Sequence, residues 1–175
     1  LLLSDNFIKI DKLADDLYIS RGLLTKILKD VRSQLKRFRL YVVNKPNYGI
    51  KIEGGERDKR LAISDYFFHS EIGLNIEFNT ELSKDGYSKQ VNRDVFKHID
   101  TILYKYKIEL SEYSINNLIT HIFITLSRIR GGHSIEIPER LNTINSLEHN
   151  TARELLNYFR SENNIDISFG EIDFI

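Results

Sequence analysis

From Asp11 to Gly54 the apolar positions change their period twice. Leu13, Ala14 and Leu17 fall at helical spacing between Ile10 and Tyr18, and Asp11 stands where an N-cap belongs. Ile19 closes a tight turn. Ser20 then caps a longer helix in which Leu24, Ile27, Leu28, Val31, Leu35 and Phe38 form one apolar stripe at i, i+3, i+4 and i+7, running to about Phe38. Gly22, Lys26, Lys29, Ser33 and Lys36 take the opposite face. Beyond it, Leu40–Val43 and Gly49–Ile52 have β-type composition. The stretch Asn44-Lys45-Pro46-Asn47-Tyr48-Gly49 between them is turn chemistry, because Pro fixes φ and Asn and Gly tolerate positive φ.

On either side of that stretch the pattern is helical. Leu1–Leu3 reads as the end of a first helix, broken by Ser4-Asp5-Asn6. Gly54-Gly55 punctuates the hairpin, Arg60–His69 reads as a short connecting helix, and Glu71–Gly86 carries little signal. From Gln90 a stripe of Val91, Val95, Ile99, Ile102 and Leu103 marks one helix. Ser111 caps the next, which presents Ile115, Leu118, Ile119, Ile122, Leu126 and Ile129 to a core and ends at Gly131-Gly132. His133–Asn145, with Pro138, is loop-like; Thr151–Asn163 is a further amphipathic helix, and Phe169–Ile175 opens another element.

The pattern predicts a mostly α protein: a winged helix-turn-helix with a small β-hairpin over residues 1–56, a connector over 57–88, and an all-α helical bundle over 89–175. Its first helix is expected to be truncated and its last part to be missing. The 175-residue chain has no Cys, which excludes disulfides and thiolate metal sites, and no Met, which together with Leu1-Leu2-Leu3 at the start suggests a piece of a longer protein. No apolar run approaches a membrane span, so no membrane partner is expected.

Charge changes the picture. The net charge is zero, but residues 1–60 hold 14 Lys+Arg against 8 Asp+Glu, and the remaining residues hold 11 against 17. A basic first third beside an acidic remainder suggests that one surface meets a polyanion. Between Ser20 and Arg39 there are seven basic residues and one acid, Asp30. A solvated helix face is the blander reading; the single sign and the place on the second helix of the pair favour double-stranded DNA. Ser20, Arg21, Thr25, Lys26 and Lys29 are the candidate contacts on that helix. Lys45 and Tyr48 at the hairpin tip could reach a phosphate or the minor groove, or could be ordinary exposed tip residues.

No glycine fingerprint for nucleotides, P-loop or zinc-ligand pairing occurs, so no cofactor or metal is expected. The candidate for chemistry is His121. It falls off the apolar stripe, on a flank shared with Asn117, Thr125 and Arg128. Imidazole is a good nucleophile near neutral pH, and Arg can hold a phosphoryl group through charge-assisted hydrogen bonds. From spacing alone, a boundary histidine with no chemistry is the better reading.

The run Ile119-Thr120-His121-Ile122-Phe123-Ile124-Thr125-Leu126-Ser127-Arg128-Ile129 resembles the first histidine motif of PRD domains, the sugar phosphotransferase-system regulation domains of Gram-positive bacteria. Asn116-Asn117-Leu118, Glu154–Phe159 and Ile165–Glu171 fit the same pattern. Before it, Leu13-Ala14, Ile19-Ser20-Arg21, Lys45-Pro46, Gly49-Ile50, Ile52-Glu53-Gly54, Glu56 and Arg60 resemble the Mga-type winged helix of the same regulators. Leu23 departs from the Thr usual two residues after that Ser-Arg pair. The second phosphorylatable histidine typical of the domain would follow Glu171–Ile175.

The resemblance implies a cytoplasmic, dimeric transcriptional regulator of carbohydrate genes. His121 would accept phosphate from phosphotransferase-system phosphocarrier proteins, and the chain would be a phosphoacceptor rather than an enzyme. His121 is expected near a subunit interface, with Arg128 serving the partner subunit. An RNA-binding antiterminator and a winged-helix protein-interaction module are the alternatives.

Overall fold

The computed structural model describes residues 1–69, 89–135, 146–163 and 165–175. They fall into two compact units, Leu1–Tyr66 and Phe67–Ile175, each taken by itself below. The stretch Glu71–Gly86, the loop around Pro138 and the side chain of Val91 lie outside what is described.

The first unit contains α1 (Ile10–Asp16), α2 (Arg21–Lys36), β1 (Tyr41–Lys45), β2 (Gly49–Glu53) and α3, which starts at Glu56. Helix α1 begins two residues earlier than the Asp11 cap requires. Lys9 holds the N-cap position and makes no side-chain cap bond. Asp11 sits instead in the first turn, where its carboxylate complements the helix dipole. Ala14 is buried and Leu13 half-buried, but Leu17 is 53% exposed. Leu17 is already the C-cap, and Tyr18 (φ 54°) turns the chain away, with the Ile19 N–H donating to the Ala14 carbonyl at 3.0 Å.

Ser20 caps α2 as its sequence position predicts: its Oγ accepts from the Leu23 N–H at 3.2 Å. Leu24, Leu28 and Leu35 are buried, whereas Ile27 is 40% exposed. It sits one step, about 100°, round the helix from Leu28, at the edge of a stripe centred on Leu24, Leu28 and Leu35. The helix stops at Lys36, before Phe38. Arg39 takes φ 56° and the Leu40 N–H returns to the Leu35 carbonyl at 3.1 Å, which seats Leu40 in the core.

The hairpin is antiparallel, in register from Tyr41↔Glu53 to Lys45↔Gly49. Ile8 adds an isolated bridge to Ile50, with both N–H···O bonds at 2.9 Å, which the sequence pattern did not show. That bridge explains Gly49: its φ is +112°, and an added Cβ would stand 2.0 Å from the Ile8 carbonyl oxygen. Leu1–Leu3 forms a turn, closed from the Ser4 N–H to the Leu1 carbonyl at 3.2 Å, instead of the end of a helix. Leu1 and Leu2 pack beside the buried side chains, so their apolar character is explained without helical period. Helix α3 begins at Glu56 instead of Arg60 and reaches His69. Arg60 is fully buried, its Nε donating to Glu56 Oε1 at 3.0 Å, one turn earlier.

The second unit holds α4 (Lys89–Tyr106), α5 (Glu112–Arg130), α6 (Leu147–Asn163) and the short α7 (Phe169–Ile172). Val95, Ile99, Ile102 and Leu103 of α4 meet Ile119, Ile122, Phe123 and Leu126 of α5 and Leu155 and Phe159 of α6. Ser111 caps α5 through the Ser114 N–H at 3.2 Å. After Arg130, Gly132 takes φ 81° and the His133 N–H closes on the Arg128 carbonyl at 2.9 Å. Helix α6 starts four residues before the Thr151 expected from its pattern, because Ser146 Oγ accepts from the His149 N–H at 3.1 Å and supplies a cap. On the surface, Glu154 of α6 accepts from both Lys105 Nζ and the Tyr106 hydroxyl at 2.7 Å, pinning α4 to α6. Those two hydrogen bonds hold its carboxyl below the ordinary value.

Helix α5 is the centre of this unit. From Ile119 to Leu126 every side chain except His121 is buried, so the expected polar flank lies inside. Replacing Ile122 with Ala is expected to cost about 2–5 kcal/mol in a denaturant titration. A loss within the scatter of that titration would overturn the packing of α5.

Candidate DNA-binding face and histidine site

The candidate contacts of the first unit are set by the turn between α1 and α2. Capping fixes the start of α2, and its apolar stripe fixes the rotation, so Arg21, Thr25, Lys26 and Lys29 emerge on the exposed side. The Ser20 hydroxyl is engaged in the cap. The Thr25 hydroxyl donates to the Arg21 carbonyl at 2.9 Å, which leaves its oxygen lone pair and methyl outward. Arg21 pairs with Asp11 at 3.1 Å, both side chains about two-thirds exposed (67% and 69%). Such a pair is weak in water and easily exchanged for a phosphate. Leu23 is 46% exposed beside them.

At the hairpin tip, Asn47 (φ 66°) and Gly49 turn the loop so that Lys45 and Tyr48 come together. The Lys45 ammonium lies 4.2 Å from the centroid of the Tyr48 ring and 5.8 Å from that of Phe7. Phe7 and Tyr48 meet edge to face at 6.4 Å. Sequence reasoning missed Phe7; it enters the tip because Ile8 is bridged to Ile50, and that pairing leaves no local signal.

In the second unit, His121 is half-buried on α5 and meets the ring of Phe174 edge to face, centroids 5.5 Å apart and planes at 69°. Burial pushes its pKa below the ordinary imidazole value, so the ring is neutral at neutral pH. A neutral imidazole keeps a lone pair for attack on phosphorus. Asn117, one turn earlier, is half-buried; its Oδ1 is enclosed and has no hydrogen-bond partner among the described residues. Thr125 is 0% and Arg128 5% exposed. Arg128 is thus enclosed by its own chain, which removes the expectation that it serves a partner subunit. Two turns, about 11 Å along the axis, separate its Cα from that of His121.

Three further residues near α7 escaped the sequence reading. Glu171 is fully buried and its Oε1 accepts from the Ile135 N–H at 2.7 Å, while Ser168 Oγ donates to the Ile135 carbonyl at 2.8 Å. His149, buried on α6, lies 5.0 Å from the Phe169 ring and has Nδ1 3.9 Å from Asp173 Oδ1. A buried acid in a four-residue helix has no periodic signature. Among the described residues no helix is long and apolar enough to cross a membrane.

The fold and the two sites define a class: a winged helix-turn-helix unit followed by a helical unit built round a histidine-bearing central helix. The chain matches the Mga helix-turn-helix domain over residues 1–67 and the PRD domain over residues 97–175. It is 29% identical over 177 residues to the probable licABCH operon regulator of Bacillus subtilis (strain 168), covering 100% of this chain and 27% of that protein. It is 27% identical over 113 residues to the transcriptional regulator ManR of the same organism, covering 65% of this chain and 17% of that protein. The chain therefore spans about a quarter or less of the length of these relatives.

Proposed function

We propose that this protein is a DNA-binding transcriptional regulator of carbohydrate uptake or metabolism genes, cytoplasmic and homodimeric, whose activity is set by phosphorylation of His121. The observation that carries the reading is the open, predominantly basic face of α2, where Lys26 and Lys29 are exposed beside Arg21 and Thr25. In the major groove that face would read bases with some of these side chains and neutralise phosphates with others. Lys45 and Tyr48 would contact the backbone or the minor groove beside it. The match of residues 1–67 to a helix-turn-helix domain supports DNA over RNA as the polyanion, and an exposed lysine face is a poor surface for packing on another protein domain.

The half-buried neutral imidazole supports His121 as the acceptor of a phosphoryl group from phosphotransferase-system phosphocarriers. In this reading the chain accepts phosphate and catalyses nothing. The test is retrieval of sheared genomic DNA by the intact, longer protein. Discrete enriched fragments near carbohydrate genes are expected. Recovery no better than for the K26E/K29E variant, or selective recovery of RNA, would overturn it.

A further inference from the structure

We propose that Gly22 opens a notch in the exposed face of α2 that takes the 5-methyl group of a thymine, between Leu23 and the Thr25 methyl. This rests on the reading of α2 as the helix that enters the major groove of DNA.

Nothing within the protein asks for a glycine at this position. Gly22 lies on the exposed side of a regular α-helix, and its φ is not in the positive range. A Cβ added there would meet no atom within 4 Å. Glycine is a poorer helix former than alanine, so α2 carries a cost that neither its backbone nor its packing explains. What the missing side chain leaves is room for something outside the protein to come close to the helix backbone.

The surroundings say what comes close. Viewed down the axis, Leu23 lies about 100° to one side of Gly22 and Thr25 about 60° to the other, with Lys26 one turn on. The Thr25 hydroxyl donates to the Arg21 carbonyl at 2.9 Å, which turns its methyl outward. Leu23 is exposed, and its backbone is pinned by the Ser20 cap. The notch is therefore apolar: the Gly22 Cα is its floor, and Leu23 and the Thr25 methyl are its walls. Around it stand Arg21, Lys26 and Lys29, all exposed cations. An apolar spot inside a basic rim is complementary to duplex DNA, where phosphates flank the base edges. The first turns of a recognition helix are the part that meets those edges. Thymine alone among the four bases shows a methyl group in the major groove, and small apolar groups such as the threonine methyl are its partners.

The protein is first used to select duplexes from a random-sequence pool. A tightly bound duplex is then remade with one thymine at a time replaced by deoxyuridine, which pairs with adenine in the same way and lacks only the methyl. At least one thymine is expected to stand out, its replacement weakening wild-type binding roughly fourfold, the worth of one buried methyl. Gly22→Ala puts a methyl of its own into the notch. This variant should melt as high as the wild type or roughly 1–4 °C higher. It should nevertheless bind the thymine duplex about tenfold more weakly, the effect of overfilling a close contact. The salt slope should stay the same, because no phosphate contact is lost. Deoxyuridine at the marked position should return part of the lost affinity, since the methyl removed from the base makes room for the one added to the protein. Thymine and deoxyuridine bound alike at every position, or Gly22→Ala binding as the wild type does, would overturn the notch and leave α2 as the recognition helix. A lowered melting temperature for Gly22→Ala would overturn it too, because the Cβ would then not stand in open space. Failure to enrich any duplex would remove the DNA-binding reading itself, and the notch with it.

Discussion

Reversing charge at both Lys26 and Lys29 (K26E/K29E) is expected to weaken binding to double-stranded DNA by roughly 100-fold or more at moderate salt, for specific and non-specific sequences alike. Each lysine that neutralises a phosphate releases condensed counterions. Losing two such contacts should lower the slope of log affinity against log salt by about 2, and the new carboxylates add repulsion. The fold should not change. Both side chains are exposed, and among the described residues neither joins an ion pair or hydrogen bond. Titration of a labelled duplex at several salt concentrations, beside a thermal melt, separates the two effects. Binding that persists with an unchanged slope removes α2 as the recognition helix. Arg21→Ala is a milder companion, since its present partner, Asp11, is an exposed carboxylate that DNA would displace.

What was legible in the sequence followed period and capping. The α2 stripe, the Ser20 and Ser111 caps, the hairpin turn and the glycine end of α5 are local patterns, and each stands where its local chemistry puts it. The match to an Mga domain followed by a PRD domain agrees with the family resemblance read from the Ser20-Arg21 turn and the His121 motif. The failures are non-local. Leu1 and Leu2 are apolar because they pack against the buried cluster of Leu35, Leu40, Ile52 and Ala62, not because they are helical. Ile27 shares a stripe on paper but sits at its exposed edge. Thr125 and Arg128 read as a polar flank, yet α5 is enclosed on that side too. The contact between His121 and Phe174 was invisible for the same reason: the two are far apart in sequence, and the partner of Glu171 shows only once Ile135 is beside it.

Incubation with the general phosphotransferase proteins and a phosphate donor is expected to give acid-labile label on this chain. His121→Ala should reduce it about tenfold or more if the imidazole is the nucleophile. The pH profile distinguishes the imidazole from its surroundings. An ordinary histidine loses its lone pair to a proton below about pH 6.5. Burial lowers the pKa of His121, so its neutral form survives further into acid, and the labelling rate should hold level as pH falls through about 6.5 and decline only beneath it. Linkage carries the same sign. Protonation is costlier in the folded state, so the stability associated with neutral His121 is present above about pH 6.5 and lost as pH falls through its lowered folded value. Equal labelling of wild type and His121→Ala removes His121 as the acceptor. A rate that already falls by half at the ordinary histidine pKa denies the imidazole its desolvated setting. Labelling that appears as expected but leaves DNA affinity and self-association unchanged keeps the acceptor and removes the switch, because the added charge would then have no consequence beyond this helical unit.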